Sequence, residues 1–118
     1  MSSVTIERDG AVAAVILPGP ALNLAVKEGL RQALADVARD DAVRAVVFGG
    51  TGRAFCLGQD LAEHAAALDK DPATALDTVT EHYNPIVTAL ATMPKPVVAA
   101  VNGTCVGAGL GLVLACDL

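Results

Sequence analysis

The stretch 94-PKPVVAAVNGTCVGAGLGLVLACDL-118 limits what this chain can fold into more than any other. After a Pro-Lys-Pro stop, Val97 to Val101 is too short and too apolar for anything but a buried strand. Glycines at 103, 107, 109 and 111 follow, and apolar residues then recur at helical spacing as far as Cys116. The same grammar occurs once earlier. Val43 to Phe48 reads as a short strand, Gly49-Gly50-Thr51-Gly52 breaks it, and 53-RAFCLGQDL-61 leads into a helix start. Two buried strands that each pass through a glycine loop into a helix place the chain in the α/β class.

The remaining elements fit that frame. Val4–Arg8 and Ala11–Leu17 flank Asp9-Gly10, which predicts a β-hairpin closed by a type I′ turn. Val26, Leu30, Ala33, Leu34 and Val37 give one apolar face to a helix over about 25–39. Asp60 with Glu63 has capping-box spacing, so a short helix is expected over about 61–68. Asp71-Pro72 reads as the start of a longer helix, with proline at its permitted first position. Its stripe is Leu76, Val79, Tyr83, Ile86, Val87, Leu90 and Met93, with a kink expected at Asn84-Pro85.

Composition excludes several function classes. A net charge of −5 over 118 residues argues against nucleic acid, whose binders need a basic face. Glycines and polar residues interrupt the apolar segments, so neither a membrane span nor a signal peptide is expected. The three cysteines have no CxxC spacing and read as reduced thiols of a cytoplasmic protein, with Cys56 a small buried thiol. No His, Cys or carboxylate cluster has metal-ligand spacing, so no metal is expected. At 53% hydrophobic residues, so small a body would struggle to hide its apolar surface. Leu112 to Leu118 also lacks a helix stop signal. Residues 1–118 are therefore read as the N-terminal portion of a single longer domain, interrupted mid-domain.

The glycine loops have chemical uses. Amides in the first turn of a helix have no partner inside it, and a backbone free of side chains lets a ligand approach them. Two such amides aimed at one oxygen would form an oxyanion hole. Residue spacing alone leaves three readings open: close helix–sheet packing, oxyanion binding, and phosphate binding. A dinucleotide fold is poorly served, because Gly107-Ala108-Gly109-Leu110-Gly111 puts Leu112 where GxGxxG needs its last glycine. A P-loop lacks its Gly-Lys-Ser/Thr.

Together, 52-GRAFCLGQDL-61 and 94-PKPVVAAVNGTCVGAGLGLVLACDL-118, with 21-ALNLAV-26 and the N-terminal hairpin, resemble the crotonase superfamily, the enoyl-CoA hydratase/isomerase family. The resemblance spans nearly the whole chain. It implies a spiral of repeated ββα units, of which this is the N-terminal part, assembled as a homotrimer or homohexamer. It implies a coenzyme A thioester as substrate, with no separate cofactor. The oxyanion donors it implies are the backbone N–H groups of Gln59 and Ala108. The loop Ala54 to Ala62 would line the coenzyme A channel, with Leu57, Asp60, Leu61 and Gly107 as further substrate contacts and Leu22 as a weaker one. Arg53 and Lys27 are candidates for the anionic phosphates, although each reads first as a solvated side chain.

The family's first hydratase glutamate falls at Gly111, which has no side chain, and the second would lie beyond Leu118. The resemblance therefore leans to a double-bond or ring-type enoyl-CoA isomerase using one acid/base. An enoyl-CoA hydratase (a lyase of fatty-acid metabolism) and a non-catalytic scaffold are the alternatives. His64 reads first as a surface residue, with the pocket as its alternative because it follows the helix cap. His82 reads as a surface residue, Asp60 as a helix cap, and Asp117 as a buried structural carboxylate.

Overall fold

A computed structural model describes residues 4–118. The main sheet has four strands in the order β1-β2-β4-β7, comprising β1 (Thr5–Asp9), β2 (Val12–Ile16), β4 (Ala45–Gly49) and β7 (Val97–Ala100). β1 and β2 are antiparallel, whereas β2–β4 and β4–β7 pair in parallel. Parallel neighbours need a crossover, and helix α1 (Leu24–Arg39) supplies the first one. Short parallel pairs join β3 (Ala21–Leu22) to β6 (Gly58–Gln59) and β5 (Ala54–Cys56) to β8 (Thr104–Cys105).

The hairpin forms one residue later than expected. Asp9 faces Val12, so Gly10-Ala11 is the turn, and Gly10 at φ +60° carries the sole positive angle. Glycine at the first central position is the requirement of a type II′ turn rather than type I′.

α1 starts on Asn23, whose side chain accepts from the Val26 N–H, and it buries Val26, Lys27, Leu30, Ala33, Leu34 and Val37. Its C-terminal carbonyls are capped from a distance. Lys95 Nζ donates to the Val37 and Asp40 carbonyls at 2.6 Å each, and a cation suits that end of a helix. The core lies between α1 and the sheet. Val15, Leu17, Leu30, Leu34, Val46, Phe48 and Phe55 are all fully buried there, and Phe48 meets Phe55 edge-on at 5.2 Å. Burial of each such side chain contributes roughly 1.5–3 kcal/mol.

α2 runs from Leu61 to Lys70, two residues past its expected end, and exposes most of its surface. The following helix does not begin at Pro72. Residues 72–76 form turns, helical geometry begins at 77, and Val79–Tyr83 is a π-helical turn leading into α3 (Asn84–Thr92). Pro85 explains the wide turn, since it has no N–H to give and its ring crowds the carbonyl of the preceding turn. The π register relieves that conflict, with the Asn84 N–H reaching back to the Val79 carbonyl. The expected kink is thus absorbed as one extra residue in a turn. α4 (Ala108–Leu114) closes the described chain, preceded by Gly107 at φ +60°.

Candidate active site

Both glycine loops converge at the C-terminal side of the sheet. β5 pairs with β8, which stacks the loop around 57–60 directly on the turn around 106–109. Their contact is close enough to exclude side chains. A Cβ on Gly109 would lie 2.6 Å from the Cys56 carbonyl oxygen, and one on Gly58 would lie 3.1 Å from the Ala108 amide nitrogen. Gly58 also holds φ +94°, which L side chains rarely adopt. Because Gln59 N is three bonds from that Cβ position, the Gln59 and Ala108 nitrogens lie within about 7 Å of each other.

Residues on either side of Gln59 anchor the first loop to β3 and its approach. The Leu57 N–H donates to Pro20 O at 2.7 Å and the Asp60 N–H to Leu22 O at 3.2 Å. Ala108 occupies the first turn of α4, where the first return bond is Gly111 N–H to Gly107 O at 3.2 Å. First-turn amides have no partner within the helix.

Gln59, Ala108 and Gly111 share the wall of a cavity of about 430 Å³. The rest of the wall is Leu61, His64, Leu76, Thr78, Val79, Tyr83, Val87 and Leu112, a mostly apolar surface. Leu61 and Leu76 are strongly exposed, at 81% and 65%. Among the expected substrate contacts, Leu61 is on this wall, while Ala54 opens strand β5 and Leu57, Asp60, Ala62 and Gly107 lie in the adjoining loops and helix starts. Leu22 is fully buried, so its side chain belongs to the core and it serves the loop through its carbonyl. Arg53 is exposed, as expected.

Three polar expectations change. His64 is half-buried on the cavity wall rather than on the surface. His82 is also half-buried, with Nδ1 2.9 Å from Thr78 Oγ1. Lys27, read as solvated, is 1% exposed and donates to Gln59 Oε1 at 3.0 Å, Glu63 Oε1 at 3.0 Å and Thr78 Oγ1 at 2.6 Å. Its stripe position explains this, because residue 27 shares a helical face with Leu30 and Leu34.

The Tyr83 hydroxyl also donates to Gln59 Oε1, and Gln59 Nε2 donates to Glu63 Oε1 at 3.1 Å. Burial pushes the Glu63 carboxyl up, but hydrogen bonds from Lys27, the Leu24 N–H and Gln59 outweigh it and hold the group below its ordinary range. Burial pushes the Tyr83 hydroxyl well above its ordinary range.

Asp60 caps α2 as expected, accepting from the Glu63 N–H at 2.9 Å. Glu63 does not complete a reciprocal box, since its Oε2 accepts from the Leu24 N–H at 2.6 Å. Asp117 accepts from the Val97 N–H at 2.8 Å but is exposed, so its role is structural without being buried. Cys56 is fully buried, and burial, partly offset by a backbone hydrogen bond from Gly58, raises its thiol pKa. Among the described residues no group of side chains could hold a metal ion, and no helix is long and apolar enough to cross a membrane.

An α/β spiral whose two glycine loops meet over an apolar cavity defines a small class of architectures, and comparison with known proteins identifies it. The sequence profile of the enoyl-CoA hydratase/isomerase family matches residues 7–118, and the chain belongs to that family. It is 44% identical over 90 residues to the 1,2-epoxyphenylacetyl-CoA isomerase of Escherichia coli, covering 75% of this chain and 34% of that one. It is 48% identical over 99 residues to a Rhodobacter capsulatus protein named after enoyl-CoA hydratase, covering 83% and 36%. A Mycobacterium abscessus crystal structure assigned to hydratase/isomerase matches with TM-score 0.94 and 51% identity over 98% of this chain and 46% of that one. The fold is therefore the crotonase fold, as the resemblance implied. The chain spans between a third and a half of the length of these relatives.

Proposed function

We propose that the protein acts, in its full-length form, as an acyl-CoA enzyme in which the Gln59 and Ala108 amides hold the thioester oxygen. One observation carries this reading. Gly58 brings the first loop to within 3.1 Å of the Ala108 nitrogen at its Cβ position, and both donor residues line one cavity. Removing a proton from the acyl chain sends negative charge onto the thioester oxygen as an enolate. Donors already aimed there lower the barrier, by roughly 2.7–4 kcal/mol each judged from removal of one such donor. Alanine at 108 keeps the amide and adds one methyl to the wall. The apolar side chains around it suit an acyl group, and the loop from Ala54 to Ala62 would run beside the coenzyme A moiety.

The chemistry that fits best is isomerisation, in which one acid/base removes a proton from the acyl chain and returns it at another carbon. Gly111 has no side chain to activate water, and the Escherichia coli relative is named as an isomerase. The Rhodobacter capsulatus relative favours a second reading, hydration of an enoyl-CoA. A cytoplasmic homotrimer or homohexamer is the assembly that accompanies either. Calorimetric titration of the full-length protein with acetoacetyl-CoA tests the shared claim, and saturable binding tighter than that of free coenzyme A is expected. Equal affinity for both would overturn it. Rapid loss of the conjugated enoyl absorbance of crotonyl-CoA would move the assignment to hydratase.

A further inference from the structure

Lys27 is a buried cation that the proposed chemistry does not use, and its three partners come from three different elements. Gln59 belongs to the first loop, Glu63 to α2, and Thr78 directly precedes the π-helical turn. All three ammonium donors are thereby engaged, as burial of a charge requires. Tyr83, within the π turn, lies under the ammonium at 5.2 Å and sends its own hydroxyl proton to Gln59 Oε1.

This arrangement fixes the Gln59 side chain in one orientation. Oε1 receives two donors, from Lys27 and Tyr83, while Nε2 gives to Glu63 Oε1. Rotating the amide by half a turn would set Nε2 against two donors and leave Glu63 without that bond. Thr78 Oγ1 accepts from Lys27 and lies 2.9 Å from His82 Nδ1, which joins the π turn to the same network. The network is directional around Gln59.

Gln59 is also the residue whose backbone amide is the first proposed oxyanion donor. We propose that Lys27 is a positioning residue, which clamps the Gln59 side chain and so holds the Gln59 peptide facing the cavity. This rests on the acyl-CoA reading above. Catalysis by a fixed donor is sensitive to small displacements, and losing the clamp lets the peptide rotate away from the oxygen. The π turn carries His82 and Tyr83 into the same network, with Thr78 directly before it.

The test compares two probes on full-length protein. Acetoacetyl-CoA presents a carbonyl oxygen to the site, and free coenzyme A has none there. Lys27→Met should lose at least about tenfold in affinity for acetoacetyl-CoA, with coenzyme A affinity unchanged, and kcat for an enoyl-CoA should fall more than KM rises. The red shift of bound cinnamoyl-CoA, which reports polarisation of its carbonyl, should shrink in the same variant. Tyr83→Phe removes one donor to Gln59 with almost no change in volume, and should show the same carbonyl-specific loss to a smaller degree even where Lys27→Met does not fold. Folded variants that keep the wild-type preference for acetoacetyl-CoA overturn the positioning role alone. Wild-type protein without that preference overturns the acyl-CoA reading beneath it.

Discussion

Gly58→Ala tests the contact between the two loops. Two costs are expected, and they can be separated. The first is conformational: a residue with a Cβ held at φ +94° is strained by about 1–3 kcal/mol. The second is steric: the new methyl would meet the Ala108 nitrogen at 3.1 Å and the Val106 carbonyl oxygen at 3.5 Å. Both are backbone atoms, so relief requires one loop to move, at about 1–3 kcal/mol for overpacking of this kind. Gly10→Ala supplies the control. Gly10 has φ +60° and nothing within 4 Å of its Cβ position, so only the conformational cost remains. Thermal melts of both variants should place Gly58→Ala lower, at about 4 °C for each kcal/mol of steric cost. Titration with acetoacetyl-CoA should show weakened binding in Gly58→Ala and normal binding in Gly10→Ala. If Gly58→Ala melts no lower than Gly10→Ala and binds as well as wild type, the loops are not interlocked at this point.

Three further outcomes follow from the local chemistry. Asp60→Ala removes the α2 cap and should cost about 1 kcal/mol, visible as faster amide exchange at the start of α2. Burial raises the pKa of all three cysteine thiols, that of Cys116 to about 11. They should therefore react slowly with a disulfide reagent at neutral pH until the protein unfolds. Their contribution to stability is full below the ordinary thiol range and is lost as pH rises through the raised values, so the melting temperature should fall on the alkaline side. The lowered Glu63 pKa has the opposite sign: its contribution is present above the ordinary carboxylate range and is lost as pH falls through the depressed value. Glu63→Gln should accordingly flatten the acid limb of melting temperature against pH.

Much of the fold was legible because its signals are local. The apolar stripe from Val26 to Val37 gave α1 within a residue of its observed start, and the Asp60/Glu63 spacing gave the start of α2. Strands β3, β5, β6 and β8 were not legible, since two or three residues carry no periodicity. The helix expected at Pro72 failed for a physical reason: proline permits a helix start but supplies no apolar face, and Ala75 is the first buried position after it. The hairpin showed its glycine but not its register, which the pairing of Asp9 with Val12 decided.

The site divides similarly. Gln59 and Ala108 were proposed as donors because glycine punctuation and family resemblance both point at backbone. The clamp around Gln59 was missed because Lys27, Glu63, Thr78 and Tyr83 lie far apart in sequence and meet only through packing. A signal was nevertheless present in a lysine on the buried stripe of an amphipathic helix. His64 was read first as a surface residue with the pocket as its alternative, and His82 as lying on the polar side of the long helix. The structure puts His64 on the cavity wall and His82 beside Thr78.

A crystal structure of the full-length protein with acetoacetyl-CoA measures the central claim most directly. The account predicts the thioester oxygen at about 2.7–3.1 Å from both the Gln59 and Ala108 nitrogens, with the acyl group against Leu61 and Leu112. A thioester oxygen that meets neither amide, or only one of them, would contradict it.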